Sequence, residues 1–251
     1  MSKEITSRHP HLQKAPIREA VLEFMIEPLI EIEAKDEHRA KILIGNAYAN
    51  AEVVTLQSFG FAFRFEGGVG SADVSQGLPF GGFLFKDEGR GFIVQIRRER
   101  IAISKLGPYE DFGQLKSEAI SILNKVAHDF AIQRVNRIGL RYINDIEVKQ
   151  PLAWYLRHYA DFAGSSVTSR TEQHRYEYAH GNSGERTVVQ IATEQVANQK
   201  QQLTIDIDTS VLDSLPSTDD FGLNEAIEIL HVRKNDFFFG IVSEAFLGEC
   251  K

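Results

Sequence analysis

The sequence predicts an α+β fold: an internally duplicated strand–helix–three strands–helix unit, building one long antiparallel sheet with helices packed on one face. Two observations carry this expectation. The stretch Asp111-Phe112-Gly113-Gln114-Leu115-Lys116-Ser117-Glu118-Ala119-Ile120 is echoed, across a two-residue gap, by Asp220-Phe221-Gly222-Leu223-Asn224-Glu225-Ala226-Ile227. Each copy begins a few residues after a proline, Pro108 and Pro216. An echo of that length marks an internal repeat. Between and before these stretches, apolar residues alternate with polar ones in short runs split by glycine-rich turns, which is the pattern of antiparallel hairpins.

The chain then divides into an arm at 1–16, flexible or loosely docked, a first repeat at 17–131 and a second at 132–251, the two forming one compact pseudo-twofold unit. In the first repeat, Leu22, Phe24 and Ile26 alternate with Val21, Glu23 and Met25 as a half-buried strand. Residues 34–48 read as a short helix with acids early. Phe59, Phe61, Phe63 and Phe65 alternate with small and charged residues, residues 67–82 read as a loop, and Phe83–Phe85 and Phe92–Ile96 as strands. The helix from Asp111 carries Leu115, Ala119, Ile122, Val126 and Phe130 on one face, with Asp111 as its N-cap.

The second repeat follows the same order. Ile138, Leu140 and Tyr142 alternate in a strand, Pro151–Phe162 is a helix, and 166–180, 186–196 and 200–209 are strands. The last helix, capped by Asp220 and running to Glu249, has an apolar stripe interrupted at its middle by His231 and Lys234. Its three consecutive phenylalanines, 237 to 239, sit about 100° apart, so one face cannot bury them all. At least one must pack elsewhere, against the N-terminal half or another copy of the chain.

Composition bounds the function. Of the 251 residues, 43% are hydrophobic and 25% charged, which describes an ordinary globular protein. No apolar run reaches bilayer length, the first residues contain no hydrophobic core segment, and Cys250 is the lone cysteine. These point to a cytoplasmic protein with no membrane partner. A net charge of −7 argues against bulk nucleic-acid binding. None of the eight histidines forms a zinc-hydrolase pair, so no metal or cofactor is expected. No Gly-x-Ser-x-Gly elbow or phosphate loop appears, the Asp-Phe-Gly triplets lack the rest of a kinase, and no catalytic residue is assigned. Ser243 reads as a neutral helical filler.

The segments Ala15-Pro16-Ile17-Arg18-Glu19-Ala20-Val21-Leu22-Glu23, Arg137-Ile138-Gly139-Leu140-Arg141-Tyr142-Ile143-Asn144, Leu230-His231, Lys234-Asn235 through Phe238 and Val242-Ser243-Glu244 carry a resemblance. Together they resemble a sporadically distributed family of bacterial and archaeal proteins of about this length with no assigned function. The resemblance implies a prokaryotic accessory gene, of the kind carried by mobile or defence islands, and transfers no catalytic residue. The doubled element order also resembles the saddle of TATA-box-binding proteins, in topology only.

One constellation stands out. If Phe61, Phe63 and Phe65 face the helices, Arg64 faces the opposite side, and by the same parity so do Gln95, Arg97, Arg137 and Arg141. Such arginines suit a phosphate or carboxylate ligand. Glu23, Glu27 and Glu66 share that parity, which equally allows a surface laced with weak ion pairs. Two function classes compete: a non-enzymatic binding or regulatory protein acting through a protein partner or a homodimer, and a nucleotide or nucleic-acid binding or processing protein using the arginine-lined face.

Overall fold

The computed structural model describes residues 9–48, 50–55, 79–157, 171–181, 184–195, 201–217 and 219–251. Their strands form a single antiparallel sheet of nine. In chain order these are β1 (Ile17–Pro28), β2 (Asn50–Thr55), β3 (Phe80–Asp87), β4 (Phe92–Arg97), β5 (Arg100–Leu106), β6 (Ile132–Val148), β7 (Thr171–His180), β8 (Glu185–Gln195) and β9 (Gln201–Pro216). The helices are α1 (Glu37–Ile44), α2 (Phe112–Asp129), α3 (Leu152–Tyr155), α4 (Asp220–Ile241) and α5 (Glu244–Glu249). The α+β class and the long antiparallel sheet thus hold. In space the strands run β2-β3-β4-β5-β1-β6-β9-β8-β7, so β1 and β6 meet at the centre and the remaining strands fan outward in the same sense on each side.

The described helices lie on one face of the sheet. Alternation puts Ala20, Leu22, Phe24 and Ile26 of β1 and Ile138, Leu140 and Tyr142 of β6 on that face, buried against α2 and α4. Asp111 caps α2 as expected, its side chain accepting from Gln114 N. The cap of α4 is Asp219 rather than Asp220, accepting from Gly222 N, because the free first-turn N–H lies within reach of that carboxylate.

The long last helix is instead two helices. Val242 leaves the helix to bridge Leu156, and Ser243 caps α5 by accepting from Phe246 N while its Oγ donates to Trp154 O. Ser243 is therefore a corner residue, since its hydroxyl satisfies two backbone groups that the break exposes. Two further strands, β2 and β5, escape the sequence pattern. Ile101 and Ile103 of β5 are fully buried between β4 and β1. The expected strand at Phe59–Phe65, with Arg64, lies outside the described residues, as do residues 67–78 of the expected loop.

Two apolar clusters fill the interior. The larger unites β1, β3 to β6 and α2 with Leu223, Ile227 and Leu230 of α4. The smaller joins β8 and β9 to α3, α5, Phe238 and Leu12. α4 therefore passes from one cluster into the other. Its three phenylalanines separate as the 100° offset requires. Phe238 is buried in the smaller cluster, Phe237 lies against Tyr178 and His180 of β7, and Phe239 stacks on His9 at 4.3 Å. Residues 9–16 are docked rather than free: Leu12 is buried, Lys14 N donates to Cys250 O, and His9 Nε2 lies 2.8 Å from Asp236 Oδ1.

Candidate functional site

The segment Arg137–Asn144 of β6 places alternate residues on opposite faces, and both faces carry polar chemistry at the centre of the sheet. On the face away from the helices stand Arg137 and Arg141, between β1 on one side and β9 on the other. Arg141 clamps Asp206 with two bonds, Nε to Oδ1 at 2.9 Å and Nη2 to Oδ2 at 2.6 Å. That bidentate bond is the first reason the Arg141 pKa is raised. Arg137 Nη1 donates to Glu23 Oε1 at 2.6 Å, and its Nη2 lies 3.7 Å from Asp208. Glu23 also pairs with Arg100 of β5 at 3.2 Å. Gly139 lets the Arg137 guanidinium lie flat on the sheet, because a Cβ there would stand 3.0 Å from Nη1.

Gln95 and Arg97 of β4 stand on this same face, where Arg97 Nη2 donates to Gln95 Oε1 at 3.2 Å. Gln95 is buried, and burial pushes the Arg97 pKa down with the neighbouring Arg100 charge adding to it. Gly82 of β3 is required beside them: with φ +140°, a Cβ would come within 2.5 Å of Ile96 O and 3.0 Å of Arg97 Cγ. The four described members of the expected set therefore share one face, in two groups joined through Arg100 and Glu23. Arg64 lies outside the described residues. Arg100, Asp206 and Asp208 complete the network and were missed by sequence reasoning. The signal for the two acids was present, because Asp206 and Asp208 alternate with the buried Ile205 and Ile207. Burial raises the Asp208 pKa against the pull of Arg137 and Arg141.

The face is less open than a bare solvent surface. Val21, Ala102, Ser104 and Ile143 lie on it and are buried, and so is Asp206. No helix among the described residues packs there.

On the helix face of the same strand lies a second polar group, at the point where α4 leaves one apolar cluster for the other. Lys234 is buried with Nζ 3.7 Å from the centre of the Tyr142 ring and 2.6 Å from Asn235 Oδ1. Burial lowers its pKa to about 7. Asn235 Nδ2 donates to His231 Nε2 at 3.3 Å, and the His231 ring stacks on Phe112 at 3.8 Å. Burial first, then the charges of Lys234 and Lys116, take the His231 pKa down to about 3. The Tyr142 and Tyr109 hydroxyls share a 2.5 Å hydrogen bond, and burial raises both pKa values. Nearby, Lys116 of α2 and Glu228 of α4 pair at 2.7 Å. The interruption of the α4 stripe is thus a satisfied polar junction under β6.

A cleft of about 660 Å³ opens at the turn between β3 and β4, lined among others by Arg90, Phe92, Lys105, Pro108, Gln114 and Glu118. Its cations are engaged. Arg90 pairs with Asp87 at 2.6 Å and Glu118 at 3.0 Å, and Lys105 Nζ donates to the carbonyls of Arg90, Leu106 and Pro108. Among the described residues no group of three or more His, Cys, Asp or Glu is placed to hold a metal ion, and no helix is long and apolar enough to cross a membrane. β1 and β6 pair side by side at this centre, and Lys234 lies against the Tyr142 ring with Asn235 and His231 beside it. No protein-family model matches the chain, and no curated protein matches it.

Proposed function

We propose that the protein is a cytoplasmic, non-enzymatic binding or regulatory protein of a prokaryotic accessory locus, engaging a protein partner through the charged face of β5, β1, β6 and β9. The observation that carries this reading is the pairing state of the arginines. Arg141 and Arg137 are already held by Asp206, Glu23 and Asp208, with side chains that remain partly exposed. A phosphate-bearing ligand would have to displace those carboxylates and leave Asp206 buried without its cation. A protein surface with both signs of charge pairs with such a network without emptying it. The nucleotide or nucleic-acid reading is therefore the weaker of the two.

The duplication belongs to the same proposal. Two copies of one ancestral unit, meeting at β1 and β6, account for the sheet order and for the echoed starts of α2 and α4. The central network then forms where the two copies join.

The test is purification from native cells of the wild-type protein beside an Arg137→Ala/Arg141→Ala variant of matched circular dichroism. A stoichiometric protein partner held by the wild type and lost by the variant is the expected result. Co-purifying nucleotide or nucleic acid, detected by its ultraviolet absorbance, or a partner the variant retains, overturns the reading.

A further inference from the structure

We propose that residues 9–16 are a releasable strap, latched by His9 on Asp236 and Phe239, that opens as a unit and governs access to Cys250 and the smaller apolar cluster while the sheet stays folded. The strap contains no helix or strand and is held at both ends. At its near end Pro16 O accepts from Asp145 N of β6, immediately before β1 begins. At its far end the His9 ring lies flat on Phe239 of α4, the planes 3° apart and the centroids 4.3 Å, with Nε2 2.8 Å from Asp236 Oδ1. Between these points Lys14 N donates to Cys250 O at 3.0 Å, and Leu12 enters the same cluster as Cys250, Phe246 and Leu247.

What holds the strap is slight beside what holds the sheet. Pro10, His11, Gln13 and Lys14 are exposed, and Leu12 is the one residue of the eight that is buried. Segments with so few buried apolar contacts open at free energies well below that of global unfolding. The latch sits at the rim, where the His9 and Asp236 side chains are 24% and 45% exposed, so water solvates both as they part. Cys250, by contrast, is 3% exposed and is met by the strap through Lys14. Pro16, bonded to the long central strand β6, is the hinge. Swinging the strap about it breaks the Lys14 bond and withdraws Leu12 together, which bares the Cys250 thiol and leaves the strand ladders intact. The strap lies against α4 and the end of α5, so it is separate from the charged face of Arg137 and Arg141.

Cys250 is the lone cysteine of the chain, so its labelling reports the opening by itself. The full chain is treated with dithiobis(nitrobenzoate) in rising urea, and the rate is compared with that of the urea-unfolded chain at the same pH. Labelling of the native protein is expected to be slower by about tenfold or more, with a much shallower dependence on low urea than global unfolding shows, because little surface is exposed. His9→Ala and Leu12→Ala each speed native labelling by about tenfold. Asp236→Ala speeds it too, and the His9→Ala/Asp236→Ala variant labels more slowly than the product of the two single effects, because they remove one shared contact. Circular dichroism confirms that every variant is folded under the labelling conditions. Wild-type labelling at the unfolded rate overturns the proposal, as does labelling that follows global unfolding at every urea concentration. A rate that His9→Ala or Leu12→Ala leaves unchanged, or a double variant that equals the product, overturns it as well. The partner-binding experiment on Arg137 and Arg141 reads a different face, so failure of one leaves the other standing.

Discussion

Lys234 makes the stability of this protein depend on pH in an unusual direction. Its ammonium is buried against the Tyr142 ring of β6 and beside Asn235 and His231 of its own helix, and its pKa falls from 10.5 to about 7. The Tyr142 ring and the Asn235 oxygen favour the charged form, but burial outweighs them. Because the unfolded chain holds this proton up to pH 10.5 and the folded chain releases it near pH 7, the stabilisation is full above 10.5 and lost as pH falls to about 7. Above about pH 9 the raised Cys250 thiol and the raised Tyr109 and Tyr142 hydroxyls oppose the trend, so the clean window is pH 7 to 9. At about 1.4 kcal/mol per unit, stability rises by about 2–3 kcal/mol across that window, or about 5–10 °C in melting temperature. Thermal melts monitored by circular dichroism measure it. Lys234→Met, of similar length and uncharged, flattens the profile and melts no lower than the wild type at pH 7. A wild-type melting temperature that is level or falls between pH 7 and 9, or a Met variant that keeps the rise, refutes the reasoning.

Four further outcomes are expected. His231, held neutral down to about pH 3, costs stability as pH drops from 6.5, so His231→Gln reduces the acid sensitivity of urea unfolding over that range. Phe238→Ala costs about 3–5 kcal/mol in chemical denaturation, while Phe237→Ala and Phe239→Ala, which are only partly buried, cost about 1–2 kcal/mol each; equal losses at all three would contradict the assigned packing. Arg141→Ala strips the bidentate partner from buried Asp206 and destabilises by about 2 kcal/mol, and adding Asp206→Ala recovers part of that loss in a double-mutant cycle. Ser243→Ala removes the cap of α5 and the bond to Trp154 O, costing about 1–2 kcal/mol, whereas a filler serine would cost nothing measurable.

Much of the fold was legible because its signals are local. Asp111 announces α2 through a bond to a residue three positions away, and the alternation in β1 and β6 sorts core from charged face without knowledge of any neighbour. The same parity put Gln95, Arg97, Arg137 and Arg141 on one side. What the sequence hid was adjacency. Arg137 and Glu23 are 114 residues apart and Arg141 and Asp206 are 65 apart, and no local pattern says which strands will be neighbours. The polar junction was hidden in the same way. His231 and Lys234 visibly break the stripe of α4, but their partners Phe112 and Tyr142 come from α2 and β6. The break before α5 was masked because Ser243 also fits a helix, and only the approach of Leu156 and Trp154 makes it a corner.

The central position of β1 and β6 has a consequence for how the chain acquires its structure. The hairpins β3-β4-β5 and β7-β8-β9 join strands that follow one another in sequence and close over short loops. The β1–β6 ladder, by contrast, must bring together residues more than a hundred positions apart, as the 114-residue span of the Arg137–Glu23 bond records. Such high contact order places loop-closure entropy ahead of any reward from pairing. Contact order therefore predicts that the outer hairpins pair before the β1–β6 ladder, and with it the Arg137–Glu23 bond, an order that φ-values at β4 and β1 would test. While that ladder is open the facing edges of β1 and β6 are uncovered, so aggregation during refolding is expected to run through the same central strands that carry the charged face when folded.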